Sequence, residues 1–207
     1  GEFLSNPGDT AIINPHDHGY EKIHIGLAWD VLQQKDTSFL GKLLKKSKTV
    51  DVDLDLGCLY EMQDGKRGCI QAFGDLYGKY KDSPYIMHSG DEREGDEEGD
   101  DEYIILNGPK WPEIKRITFY AYIYGGAPNW AIVKPQVRVL VPGEAPLVVV
   151  PDVSNSCLAV CAIASMDNVR NGIKVTNHIE FYPGHAEMDR AFGYGLQWAD
   201  GKKTPQS

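Results

Sequence analysis

The 207-residue chain lacks most of the features that assign a function quickly. No apolar run reaches the roughly 20 residues of a membrane-spanning helix. No basic stretch followed by an apolar one opens the chain, so no signal peptide is read, and Gly1-Glu2-Phe3 reads as a cloning scar. The motifs GxxxxGK[ST], HExxH and GxSxG are absent, and a chain that is not an enzyme is the expectation. Cysteine is sparse, with four residues at 58, 69, 157 and 161. Cys157 and Cys161 lie in CLAVCAIA, a strand-like run. Four residues of strand span roughly 13 Å, whereas a disulfide needs Cα atoms within about 7 Å. One CxxxC also offers too few ligands for zinc. Reduced core thiols and a cytoplasmic location are therefore expected. Positive charge is in deficit, 21 Lys and Arg against 30 Asp and Glu, which argues against nucleic acid as a partner.

What the chain has in quantity is period-two alternation. ITFYAYIY sets Ile117, Phe119, Ala121 and Ile123 on one face and Thr118, Tyr120, Tyr122 and Tyr124 on the other. GIKVTNHIEFY alternates Ile173, Val175, Ile179 and Phe181 against Lys174, Thr176, His178 and Glu180. PLVVV and CLAVCAIA are short apolar runs, and Asp64-Gly65 between VDLDLGCLY and CIQAF signals a hairpin. Many short strands with Gly, Pro and Asn turns predict an all-β, antiparallel two-sheet sandwich. One or two short helices are expected, over 38–48 and 185–193. With 42% hydrophobic residues, a single domain over 1–207 can bury a core, with a basic insertion at 32–49.

Negative charge is concentrated. Asp91 to Glu102 holds nine carboxylates and one Arg, a net −8 of the chain's −9. A solvated charge run is the bland reading. Two features speak against it. Gly90, Gly95 and Gly99 punctuate the acids and allow a loop to fold back on itself. A second acidic cluster, DVDLDLG, would align Asp51, Asp53 and Asp55 on one side of a strand, which is costly without a counter-charge. A hard divalent cation answers both, and the surplus of oxygen donors favours calcium, as one or more ions, over magnesium. DVDLDLG is not an EF-hand: counted from Asp51, Leu56 stands where Gly is required and Met62 where Glu is required.

HSGDEREGDEEGDDEYI (88–104) resembles the acidic signature of the TerD family of tellurium-resistance and stress proteins. IGLAWDV (25–31) is similar to that family's G-L-x-W-D element and VDLDLGCLY (52–60) to its D-x-D-L-D strand. LGCLYEMQDGKRGCIQAFG, TFYAYIYGGAPNW and GHAEMDRAFGYGLQW resemble its TerA branch. The resemblance spans nearly all of residues 5–200 and implies a sandwich with calcium in acidic loops at one end. By motif it carries the metal site onto Asp30, Asp53, Asp55, Gly90, Asp91, Gly95, Gly99, Asp100, Asp101 and Glu102. Glu92, Glu94 and Glu97 depart from the family's usual Asn, Thr and Gly. It also implies an interaction or sensing module of a bacterial tellurite-resistance and stress-response system. The implied partners are other proteins of that system, membrane-associated ones included, and the implied location is the cytoplasm or the inner face of the membrane.

Among the acids, Asp53, Asp55, Asp91, Asp100 and Asp101 are the expected direct ligands, while Glu92, Glu94, Asp96, Glu97 and Glu98 are expected to be solvated. An alternative function is calcium-dependent membrane docking, like a C2 module, through Lys42, Lys45, Lys46 and Lys48. His88 reads as a structural strand-end residue, His16 and His18 as part of a surface turn, and Trp111, Trp130 and Trp198 as packing residues.

Overall fold

The computed structural model describes residues 2–29, 33–35, 47–49, 53–72, 76–89, 102–125, 130, 134–150, 158–198 and 205–206. Its strands are β1 (Glu2–Leu4), β2 (Thr10–Ile13), β3 (Ile23–Ala28), β4 (Gln33–Lys35), β5 (Ser47–Thr49), β6 (Asp53–Met62), β7 (Arg67–Ile70), β8 (Gly78–Lys79) and β9 (Ile86–His88). They continue as β10 (Glu102–Leu106), β11 (Ile114–Gly125), β12 (Gln136–Leu140), β13 (Leu147–Val149), β14 (Val160–Val169), β15 (Gly172–Tyr182), β16 (Gln197–Trp198) and β17 (Pro205–Gln206). Among the described residues there are also a 3-10 turn, Gly108–Glu113, and a helix, α1 (His185–Phe192).

Two sheets carry the fold. The first has the order β1-β13-β12-β3-β10-β9-β8 and the second β2-β15-β14-β11-β6-β7. All pairings are antiparallel except β1 with β13, which is parallel. Glu2 and Phe3, two of the three residues read as a cloning scar, lie in the edge strand β1, with Phe3 opposite Val148.

Alternation decides what lies between the sheets. Ile23, Ile25 and Leu27 of β3, Ile104 and Leu106 of β10, and Val137 and Val139 of β12 all point inward. They join the same core as Leu54, Leu56 and Cys58 of β6 and Ile117, Phe119 and Ala121 of β11. Each such aliphatic side chain contributes about 1.5–3 kcal/mol by leaving water. Trp111 and Trp130, expected as packing residues, are also buried, their indole nitrogens donating to Gly172 O and Leu158 O.

The second sheet is buried on its outer face as well. Leu59, Cys69, Tyr120, Tyr122, Val160 and Ala162 lie beneath Met188 of α1 and Tyr194. Gly193 (φ 72) ends the helix in the left-handed conformation that glycine adopts without strain. The buried Asp189 carboxylate then accepts from Gly195 N, Leu196 N and Trp198 Nε1, which pins the following segment to the sheet.

One expectation changes. The helix read over 38–48 does not hold at its end, because Ser47 and Lys48 belong to β5, which pairs with β4. Ser47 and Thr49 are weak helix formers, and the ladder with Gln33–Lys35 satisfies their backbone. Residues 36–46, with Phe39, Leu40, Leu43 and three of the four lysines, lie outside the described residues. Among the described residues no helix is long and apolar enough to cross a membrane.

Candidate functional site

The acidic segment hangs from a hairpin. β9 and β10 pair in the register Ile104↔His88, Ile105↔Met87 and Leu106↔Ile86. Beyond the ladder, Ser89 N donates to Tyr103 O at 2.9 Å and Tyr103 N to Ser89 Oγ at 3.2 Å. Ser89 and Glu102 are therefore the two roots of the acidic run. The pair Glu102↔Leu27 brings the end of β3, followed by the half-buried Trp29, alongside the same root.

The second acidic cluster meets these roots through the backbone of one residue, Leu56. The β6–β7 ladder ends at Cys58↔Ile70, because Gln71 N turns away to Leu76 O. Beyond that point the edge of β6 is met by side chains from the other sheet. Glu102 Oε2 accepts from Leu56 N at 2.5 Å, and His88 Nε2 lies 2.8 Å from Leu56 O. A carbonyl can only accept, so the His88 ring donates here. His88 is 3% and Glu102 8% exposed. Leaving either Leu56 group unsatisfied in such a setting would cost about 1–3 kcal/mol. His88 Nε2 and Glu102 Oε2 are 3.8 Å apart.

Of the residues expected to bind metal, Asp55 and Glu102 have described side chains. Asp55 is half-buried on the outer side of β6, opposite Tyr122 in register, and the peptide joining it to Leu56 is the one that Glu102 holds. Its neighbours Leu54 and Leu56 face the core, as the alternation predicts. Asp53 opens β6 opposite Gly125, with its side chain outside the described residues. Asp30, Gly90, Asp91, Gly95, Gly99, Asp100 and Asp101 also lie outside them.

The acids at this end with described side chains, Asp55 and Glu102, carry hard carboxylate oxygens rather than soft donors. Cys58, the neighbouring thiol on β6, faces the core, and burial pushes it well above the usual thiol range, so it offers no thiolate. Among the described residues no three His, Cys, Asp or Glu groups converge at metal-binding distance.

Several polar groups that alternation does not single out are built elsewhere in the fold. Glu61 is the hub of an ion cluster, with Arg116 Nε at 2.8 Å, Arg67 at 3.4 Å and Lys115 at 3.6 Å. Burial would raise its carboxyl, but the Arg116 hydrogen bond and the three cations outweigh that and hold it below the usual range. Arg116 also donates to Phe192 O and Gly193 O and stacks over Tyr194, which clamps the end of α1. His185 sits among Tyr120, Tyr122 and Trp198, with ring centroids at 5.1, 5.1 and 5.3 Å. Burial pushes its imidazole down to about 4, against a weak upward pull from Glu187. Asn177, fully buried on β15, donates to Leu4 O at 2.7 Å and ties the two sheets together. Ser165 Oγ lies 2.7 Å from His178 Nε2 as a cross-strand polar pair beside Phe192.

Comparison with known proteins fits this architecture. The TerD domain family matches residues 6–134, which takes in β2 to β11 and every residue expected to bind metal. The tellurium resistance protein TerA of Alcaligenes sp is 35% identical over 184 residues, covering 89% of this chain and 53% of that protein. TerX of Serratia marcescens is 30% identical over 137 residues, 58% of this chain and 61% of that protein. TerZ of the same organism is 29% identical over 105 residues, half of each chain. The chain thus spans about half the length of the curated relatives it matches. With the family segment covering more than half of the sequence and two sheets carrying the fold, the chain belongs to the TerD family.

Proposed function

We propose that the acid-rich end binds calcium and that the chain serves as a calcium-dependent interaction module, without catalysis of its own, in a tellurite-resistance system. The observation that carries the reading is the Leu56 peptide. The hairpin that bears residues 91–101 is hydrogen-bonded through Glu102 to the strand that bears Asp53 and Asp55. Two acidic clusters far apart in sequence share one end of the fold, and like charges so placed repel unless a cation lies among them. Asp53, Asp55 and the acids of 91–101 would hold the ion, which would supply charge neutralisation. Oxygen-only donors and buried thiols on the other side of β6 support calcium over a soft metal.

The tellurite role comes from the relatives, which are named tellurium resistance proteins. Direct capture of tellurite by this end is disfavoured, because a segment of net −8 repels an oxyanion. The partners are instead other proteins of the same system, recognised once the acids are neutralised.

Calorimetric titration and thermal unfolding with calcium or EGTA test the proposal. Binding to the folded state alone adds about 2.7 kcal/mol of stability when free calcium is 100 times the dissociation constant. An unfolding temperature that does not move from EGTA to millimolar calcium, with no heat of binding, would rule the reading out.

A further inference from the structure

The geometry points to His88 and Glu102 as positioning residues, a side-chain latch that fixes the acidic hairpin against β6, with Glu102 outside the calcium shell. The inference rests on the calcium reading for its consequence, though not for the latch itself. Glu102 is the last acid of the D-D-E run, yet its placement differs from that of a loop carboxylate. It opens β10 within the ladder, opposite Leu27, and its side chain is buried. Its Oε2 is engaged by Leu56 N at 2.5 Å, and His88, its neighbour across the hairpin, holds the carbonyl of the same residue.

The pair replaces a strand. Past Cys58 the β6 edge has no further β7 partner in the ladder, and His88 and Glu102 together present the donor and the acceptor that a neighbouring backbone would supply. They do so from the last residue of β9 and the first of β10, so the two roots of the acidic run are fixed relative to Asp53 and Asp55. A buried carboxylate whose Oε2 accepts from a backbone amide inside the sandwich is committed to the scaffold, which is why Glu102 is placed outside the calcium shell. The latch thus sets the spacing between the two acidic clusters before any ion arrives.

Hydrogen exchange of the Leu56 amide, followed by NMR in EGTA, and calcium titration of the same proteins test this. Glu102→Ala removes the acceptor and is expected to speed Leu56 exchange at least tenfold without calcium present. Glu102→Gln keeps an acceptor oxygen; it is expected to keep that protection, the full number of bound ions and an affinity within about threefold of the parent. The double variant Asp100→Asn, Asp101→Asn is the contrast, with normal Leu56 protection in EGTA and weakened calcium binding. The latch is refuted if Leu56 exchanges equally fast in the parent and in Glu102→Ala. A role as ligand is established instead if Glu102→Gln loses an ion or binds more than tenfold more weakly. Should Glu102→Ala not fold, Glu102→Gln alone decides, through Leu56 protection and ion count. If the parent chain takes up no calcium, the functional proposal falls, while exchange in EGTA still decides the latch.

Discussion

Acid should unfold this protein partly through one histidine. His185 stands at the start of α1, 6% exposed, with Tyr120 and Tyr122 of β11 below it and Trp198 beside it. Those rings accommodate a neutral imidazole and offer no carboxylate contact; Glu187, on its own helix, gives only a weak pull. The unfolded chain binds a proton near the ordinary 6.5, the folded one only near 4. The contribution of His185 is therefore complete above pH 6.5, declines as the pH falls toward 4, and is flat below. The gap amounts to about 3 kcal/mol in full, of which about 2 kcal/mol is lost by pH 5. Urea unfolding in EGTA at pH 7.5, 6 and 5 measures it, with His185→Phe as the reference that keeps an aromatic ring and cannot titrate. The parent chain should lose about 2 kcal/mol more than the variant between pH 7.5 and pH 5. His178, whose imidazole burial also lowers, is present in both and cancels. Equal losses in the two proteins would mean that His185 is not held neutral beneath α1, and the account of the outer cluster would fail with it.

Two further outcomes follow from packing. Gly57 pairs with Tyr120 across β6 and β11, and a Cβ at residue 57 would fall inside the Tyr120 ring, itself fixed by the hydrogen bond from its hydroxyl to Gln71. Gly57→Ala should cost about 1–3 kcal/mol of stability in thermal unfolding, and parental stability would show that the ring is free to move. Cys58, Cys69 and Cys161 are buried free thiols, and burial pushes Cys69 to about 12. Iodoacetamide at pH 8 should leave all three unlabelled in the native protein and label them after unfolding, as mapped by mass spectrometry; rapid native labelling at any of them would contradict the burial.

How much of this could be read from the string depends on which signal each element uses. Strands announced themselves wherever one face met the core: Ile117, Phe119 and Ala121 are inward as their spacing requires, and Asp64-Gly65 turns β6 into β7 with Gly65 at φ 91. α1 falls where HAEMDRAFG was read as helical. Alternation says which residues share a face, but not what covers that face. Thr118, Tyr120 and Tyr122 carry hydroxyls and sit opposite the core residues, yet they are buried, because α1 and Tyr194 return to the outer side of the sheet some 70 residues later. His185 and Asp189 escaped notice for the same reason: their role depends on a contact distant in sequence. Asn177 shares the inward parity of Ile173 and Val175, and nothing local marks it as the donor to Leu4.

The acidic end shows where charge counting stops being informative. Density of carboxylates points to two stretches of sequence, and of their acids Glu102 is hydrogen-bonded to the Leu56 amide, next to Asp55 on β6. Counting treats every acid as equivalent, whereas the fold sorts them by backbone position. Glu102, at the first residue of β10, stands next to the place where the β6–β7 ladder has ended, and there it accepts from the buried Leu56 amide of β6. The position at which β7 ends is set by the turn of Gln71 back to Leu76, about 30 residues before Glu102 in the chain. No motif spanning 88–104 contains that information. That Glu102 holds the scaffold is thus a tertiary property, and it follows from where one edge strand stops.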